Sequence, residues 1–409
     1  MDGRSFSEIH SRWFSPIQVL ELDACTRCQE CLNICPVTAI DRETSPMDRI
    51  GDWRRIVDRQ TGIRARLFGR PSLDEKILHD LADSAYACTT CGACGVVCES
   101  GISTAQLWES MRGAIVDLGG SRAGVFADAA ERIARFRNPY GAPQEKRSAW
   151  IPGDIVIADA APVAYFPGCT VSFRQPEIGM AALRILQSLN IRFCMLGEEE
   201  SCCGSLLFRT GHSPEDAEVI RNLIQAVVDR GVTTLLFTCA GCLKTATTDW
   251  PRVWGGPLPF TPVPFAVFLR DQIRQGRLSF QSRIARRVAY HDSCHAGRHL
   301  MHVLGRDQAF EAPREVLRAI PGIELTELRT NREFQICCGA GGGLKRKSPD
   351  LALAIAGRKV TDVRETGAEV LATTCPFCRR NILDAAGDTL EVVDIAELVA
   401  EALGLQADE

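Results

Sequence analysis

The sequence predicts an α/β protein with a helical N-terminal module followed by two related α/β halves with parallel sheets, set about a pseudo-twofold axis. Three observations carry this reading. Two runs of four closely spaced cysteines sit near the N-terminus, CTRCQECLNICP and CTTCGACGVVCE. The chain then repeats itself: VAYFPGCT at 163–170 matches VAYHDSCH at 288–295, SCCG at 201 matches ICCG at 336, and LLFTCAGC at 235–242 matches VLATTCPFC at 370–378. Within each copy, short apolar runs alternate with helical patterns, which is the signature of βα units packing on a parallel sheet.

Length and charge narrow the function. The 409 residues suffice for two or three domains, and 45% apolar with 24% charged content is ordinary for a soluble globular chain. A net charge of -4 gives no footprint for nucleic acid. The start, MDGRSFSEIHSRW, lacks the charged head and apolar run of a secretory signal, and no run of about 18 apolar residues is present to span a bilayer. The expected location is the cytoplasm, or the inner face of a membrane through a partner protein.

Nineteen cysteines in such a chain argue for metal rather than a disulfide framework, because cytosolic thiols are kept reduced. Eighteen fall into four groups, and Cys194, in the apolar run IRFCML, reads as a small buried residue. Cys25, Cys28, Cys31 and Cys35 follow C-x2-C-x2-C-x3-C, and so do Cys88, Cys91, Cys94 and Cys98. In this spacing three thiolates wrap one [4Fe-4S] cubane while the fourth reaches the other cluster. The expected sets are therefore Cys25, Cys28, Cys31 with Cys98, and Cys88, Cys91, Cys94 with Cys35. Structural zinc is the alternative, but it draws its cysteines in pairs from separated segments.

The 52 residues between Cys35 and Cys88 are too many for a compact hairpin-linked ferredoxin. They contain SPMDRIGDWRRIVDRQ and SLDEKILHDLADSAYAC, each with a serine placed to cap a helix, so the two-cluster module should be helical. NPYGAPQEKRSAWIPGD reads as a linker. It divides the chain into a helical two-cluster ferredoxin domain at 1–150 and two α/β domains at 151–275 and 276–409.

In the first copy the strands are VAYF, IRFCML and TTLLFT, with helices near 176–189 and 214–230; in the second, SPDLALAIAGRKVTDVRETG is the long helix before the last strand. All the repeat cysteines lie where strands end, the place where parallel sheets carry their chemistry. Cys169, Cys202, Cys203, Cys239 and Cys242 form one set; Cys294, Cys337, Cys338, Cys375 and Cys378 form the other. Five thiolates exceed what one tetrahedral ion or one cubane takes. Either one cysteine per set is spare, or the metal assembly is larger.

These motifs resemble the cysteine-rich CCG pattern, C-x(31 to 39)-CC-x(35 or 36)-C-x2-C, of heterodisulfide reductase catalytic subunits and of related iron-sulfur proteins. The first copy, with gaps of 32 and 35, fits fully; the second, with 42 and 36, has a longer first gap. The order of two-cubane module and two CCG domains is similar to the HdrD-type chains of heterodisulfide reductase. The resemblance implies a noncubane [4Fe-4S] cluster in each five-cysteine set. It also implies reduction of a mixed disulfide, that of coenzyme M and coenzyme B, to two thiols, with electrons arriving through the two cubanes. All ten CCG cysteines are retained, whereas relatives in other pathways have lost some. Clusters in such number suit an anaerobic, methanogenic setting.

Reduction of a disulfide takes two electrons and two protons and leaves sulfurs that a soft iron site can hold. The implied substrate carries sulfonate, phosphate and carboxylate groups, so nearby cations gain interest: Lys244, Arg298, Lys345, Arg346, Lys347, Arg379 and Arg380, with Arg298 and Lys345 preferred. Solvated loop charges are the plain alternative. His291, His295 and His299 surround Cys294, and His295 is the candidate proton donor, although orienting the loop is the simpler role for all three. Gly339, Gly341, Gly342 and Gly343 lack P-loop spacing and read as a close approach to a cluster. The electron-donor partner expected is a membrane cytochrome b or a flavin or iron-sulfur protein. Competing readings are an electron-transfer component of a glycolate or lactate dehydrogenase, and a conduit in a membrane redox complex.

Overall fold

The computed structural model describes residues 5–69, 73–120, 126–213 and 217–405. Two compact units result. The first comprises residues 1–128, 206–213 and 336–356; the second comprises 129–205, 214–335 and 357–409.

The first unit is helical, as its sequence predicts. The helix Pro46–Thr61 opens on Ser45, whose hydroxyl accepts from the Asp48 amide, with proline at its first position. The second expected serine cap is corrected. Ser72 lies outside the described residues, and the helix Glu75–Tyr86 is capped by Asp74, whose carboxylate accepts from the Ile77 amide at 2.8 Å. An aspartate does this well because its charge also complements the positive end of the helix. Trp53, Trp108, Met111 and Ile115 anchor the core, with Phe14 stacked 5.2 Å from Trp53 and the Arg49 guanidinium 5.0 Å above Trp108.

The second unit contains two four-stranded parallel sheets. The first holds β1 (Val163–Phe166), β2 (Phe193–Cys194), β3 (Thr234–Phe237) and β4 (Thr261–Pro264) in the order β2-β1-β3-β4. The second repeats this order as β6-β5-β7-β8, with β5 Arg287–His291, β6 Glu324–Thr326, β7 Val370–Thr373 and β8 Glu391–Asp394. The expected helix near 176–189 is Pro176–Ser188, the one near 214–230 is Glu218–Asp229 with 214–216 outside the described residues, and the long helix of the second half is Pro349–Glu365.

Each half has a fourth strand that the repeat pattern leaves out. The first is TPVP, in which Pro262 and Pro264 cannot donate to a ladder, so it pairs only with β3 and closes the sheet at its edge. The halves share one apolar core: Tyr165, Leu236, Phe265 and Leu269 of the first pack with Val288, Tyr290, Val370 and Val399 of the second. The helix Pro176–Ser188 packs on the helix Ile395–Ala402, and Phe265–Arg274 packs on Ala312–Ala319, so helices of one half cover the other. Residues 138–150, read from sequence as a linker, are built into this unit: Asn138 and Arg147 are buried, and the Asn138 amide donates to the carbonyls of Phe136 and Ala142.

Candidate metal centres

The two N-terminal cysteine runs adopt one backbone form. Arg27 and Gln29 in the first, and Thr90 and Gly92 in the second, stand at matching positions with φ of 61°, 71°, 50° and 73°. Three of the four are not glycine, and a left-handed conformation there costs on the order of 1–3 kcal/mol each, held only where surroundings over-determine it. The turns bring the cysteines together as the spacing predicts. Cys25, Cys28, Cys31 and Cys98 line one cavity, and Cys35, Cys88 and Cys91 line another, with Cys94 on the wall of both. Cys28 is exposed while Cys91 and Cys94 are buried, so the first cavity lies nearer solvent.

Bare thiols in these cavities would be neutral. Burial, followed by the neighbouring sulfurs of Cys25, Cys35 and Cys28, pushes the Cys31 thiol up to about 11, and burial also raises Cys35 and Cys94. Bound iron supplies the positive charge that converts such a set to thiolates, and the donor chemistry fits it.

Arg112 fastens the first unit around the second cavity. It is fully buried and donates to the carbonyls of Ala85, Cys88, Arg209 and Gly342 at 2.7–3.1 Å, with no carboxylate partner among the described residues. The glycine run lies on the same backbone, which corrects one expectation. A Cβ on Gly341 would stand 2.7 Å from the Thr89 carbonyl oxygen, and one on Gly342 would stand 2.6 Å from that of Cys88. The glycines are there so that chain can meet chain, a contact invisible in GAGGG itself because its partner is some 250 residues away in sequence. Cys337 and Cys338 lie in this first unit, and the Gly339 amide donates to the Cys337 sulfur at 3.5 Å.

In the second unit the strand order explains where the other cysteines gather. Neighbouring strands β1 and β3 lead into Cys169 and Cys239, and β2, on the far side of β1, leads toward Cys202 and Cys203. The chain reverses its winding between β1 and β3, and open parallel sheets bind ligands beyond the carboxyl ends at such a point. The thiols form a continuous run by direct interaction: Cys169 with Cys202, Cys202 with Cys203, Cys203 with Cys242, Cys242 with Cys239, Cys239 with Cys375, and Cys375 with Cys378. Cys239 and Cys375 each precede a helix, Ala240–Thr248 and Pro376–Ala386, whose positive end favours anionic sulfur.

Glycine is required twice here for local reasons. Gly204 and Gly339, which close the two CCG loops, have φ of 90° and 89°. Gly168, at φ 71°, lies where a Cβ would come 2.8 Å from the Cys242 sulfur. The second copy has Ser293 at the matching position, and its hydroxyl donates instead to the Cys378 sulfur at 3.7 Å.

The other expected site residues divide by role. His295 faces the first half: a Cβ on Gly241 would lie 3.5 Å from its Nδ1, it interacts with Cys375, and its ring centroid is 4.9 Å from that of His299. His291 is buried at the end of β5 and held neutral, with burial first and Lys359 second lowering it to about 3. Arg298 donates to the carbonyls of Glu333 and Gln335 at 2.7 and 2.6 Å, clamping the chain ahead of Cys337. Lys345 lies on the short helix Leu344–Lys347 of the first unit. Arg379 is committed to Gln175, Glu177 and Glu397, Lys244 to Asp249, Arg380 to Asp384, Lys347 to Asp83 and Arg346 to Asp128. Cys194 is fully buried in β2.

Sequence reasoning passed over Arg147 and Glu200. Their side chains form a buried pair at 2.6 Å, and Arg147 Nη2 also donates to the Cys169 sulfur at 3.6 Å. Burial pushes the Glu200 carboxyl up to about 7. The signal available was a charged residue inside an otherwise turn-rich segment, which is weak because most such residues are solvated.

A pair of parallel-sheet α/β halves carrying a run of buried thiols, in one chain with a helical module that holds two four-cysteine cavities, defines an iron-sulfur oxidoreductase. Family comparisons agree: residues 21–102 match the 4Fe-4S dicluster domain, and residues 163–245 and 288–382 match the cysteine-rich domain called CCG. The HdrD-type chain of the dihydromethanophenazine:CoB–CoM heterodisulfide reductase of Methanosarcina acetivorans is 41% identical, over 98% of each chain, and that of Methanosarcina mazei is 42% identical, over 97% of this chain and 98% of its own. The chain belongs to the HdrD family of heterodisulfide reductase iron-sulfur proteins. An iron-sulfur relative from Methanothermobacter marburgensis, a component of a fumarate reductase (CoM/CoB), is 28% identical over 93% of this chain and 72% of its own. Among solved structures, a glutamate racemase from Bacillus anthracis aligns with 62% of this chain and 86% of its own, at 10% identity and a TM-score of only 0.28. No helix among the described residues is long and apolar enough to cross a membrane.

Proposed function

We propose that this chain reduces the mixed disulfide of coenzyme M and coenzyme B to two thiols, as the names of its HdrD relatives state of those proteins. The single observation that carries the reading is the direct contact of Cys239 in the first half with Cys375 in the second. A disulfide presents two sulfurs about 2 Å apart, so two soft-metal sites must adjoin if each is to take one of them.

Four sets of ligands are assigned: Cys25, Cys28, Cys31 and Cys98, and Cys88, Cys91, Cys94 and Cys35, for cubane [4Fe-4S] clusters; and Cys169, Cys202, Cys203, Cys239 and Cys242, with Cys294, Cys337, Cys338, Cys375 and Cys378, for noncubane [4Fe-4S] clusters. When bound, these clusters store and pass single electrons and offer iron to sulfur. The chain's own residues do the rest. The exposed Cys28 site is the one open to an electron donor, and the buried Cys91 and Cys94 site lies inward of it. Burial of the thiol run excludes water, and His295, beside Gly241 and Cys375, is placed to hand a proton to a departing thiolate. Reduction is balanced by two electrons from the donor and two protons, giving one thiol from each half of the substrate.

The domains that follow are 1–150 for electron entry, 151–275 and 276–409 for the two CCG halves. The donor is a membrane cytochrome b or a flavin or iron-sulfur protein, and the chain works in the cytoplasm or at the inner membrane face through that partner. The test is anaerobic assay of the iron-loaded chain with a reduced viologen and the coenzyme M and coenzyme B heterodisulfide. Thiol release supports the reading; iron-replete protein that oxidises no viologen sinks it and favours an electron conduit.

A further inference from the structure

The two five-cysteine sets are copies in sequence, yet their surroundings differ at one charged residue. Arg147 comes from the segment ahead of the first repeat. Its guanidinium is 1% exposed and makes three contacts: Nη1 donates to Glu200 Oε1 at 2.6 Å, and Nη2 donates to the Arg137 carbonyl at 3.3 Å and to the Cys169 sulfur at 3.6 Å. The Arg137 carbonyl in turn accepts the Cys202 amide at 2.7 Å. One side chain therefore bears on two of the five cysteines of the first set. Its Nε is buried with no partner among the described residues, and its carbon stands 5.0 Å from the Phe173 ring, which keeps water away.

The duplication does not supply a second such residue. The position equally far ahead of Cys294 is Gln272, which lies within the helix Phe265–Arg274 that closes the first half. The partner of the Cys378 sulfur in the second half is neutral, the Ser293 hydroxyl. A hydrogen bond and a positive charge on a ligating sulfur both stabilise added negative charge, and cluster potentials respond to both. The effect is large where water cannot screen it.

We propose that Arg147, held in place by Glu200, is a positioning residue that raises the reduction potential of the cluster bound by the first set above that of the second. The twin sites are thereby unequal, and the first is the one that draws the electron. This rests on the assignment of iron clusters to the five-cysteine sets, and it does not depend on which disulfide is the substrate.

The test is a redox titration followed by electron paramagnetic resonance and Mössbauer spectroscopy, with iron counted per chain. It is run on the unmodified protein, on Arg147→Lys and on the double variant Arg147→Gln/Glu200→Gln, which leaves no buried charge without a partner. A parallel series in a Cys338→Ser background isolates the signal of the first set. The expected result is full iron content with the first-set midpoint moved to more negative potential in the double variant, a smaller shift in Arg147→Lys, and unmoved cubane signals. An unmoved first-set midpoint with full iron overturns the proposal, as does loss of first-set iron in both variants, which would make Arg147 a folding element. An unmodified chain that binds no iron would instead overturn the cluster assignment beneath it.

Discussion

Cys239 of the first half and Cys375 of the second are direct partners through their thiols, although 135 residues separate them in the chain. Each follows the last residues of a central strand and caps the helix after it. The pairing of the two sheets about one core therefore places the ends of β3 and β7 side by side, and the two cysteine sets meet there.

Loss of one paired cysteine should separate the two kinds of site. Cys203→Ser and Cys338→Ser are expected to abolish disulfide reduction while the cubane signals persist, because neither residue belongs to the N-terminal sets. Spectra of the purified variants check this, and disappearance of cubane signals would contradict the division of labour.

Gly342→Ala and Gly357→Ala form a matched pair. At Gly342 a Cβ meets the Cys88 oxygen at 2.6 Å with φ at +59°, whereas at Gly357, inside the helix Pro349–Glu365, it meets nothing within 4 Å. The first should lose about 2–4 kcal/mol of stability and disturb the Cys88 cluster signal. The second should gain about 0.5–1 kcal/mol. Denaturation of the iron-loaded protein measures both, and equal effects would deny the chain-on-chain contact.

Arg112→Met should cost roughly 3–5 kcal/mol, since it strands the buried carbonyls of Ala85, Cys88, Arg209 and Gly342 at once. Arg112→Lys should recover only part, because a single ammonium cannot reach all four as a planar fork does. A full rescue by lysine, read as an unchanged melting temperature, would show that charge alone matters.

Acid should weaken the helical module through His10. Burial holds its imidazole below the ordinary value, and its ring stacks 4.6 Å from Phe14. The unfolded chain thus takes up a proton that the folded one resists, so this stability is complete above pH about 6.5 and is lost as pH falls below it. His10→Phe should therefore gain on the unmodified protein progressively from pH about 7.5 to about 5.5 in thermal melts; a gap independent of pH would rule this out.

Much of the site was legible in the chain because its determinants are local. Cysteine spacing specifies which turns can wrap a cluster, strand-like runs ending in cysteine specify loops at the carboxyl ends of a sheet, and the duplication specifies two such sheets. What stayed hidden depends on partners distant in sequence. Pro262 and Pro264 obscure β4 because an edge strand needs only one neighbour. The reason for GAGGG lies at Cys88 and Thr89, and the apparent linker carries Arg147 to Cys169. By itself the sequence determined the ligands, their grouping and the class of chemistry. Only the tertiary structure decided which backbone the glycines meet, which cations are spent on neighbouring carboxylates and carbonyls, and that one of two duplicated thiol sets has a buried guanidinium beside it, because burial and charge pairing are properties of neighbours in space.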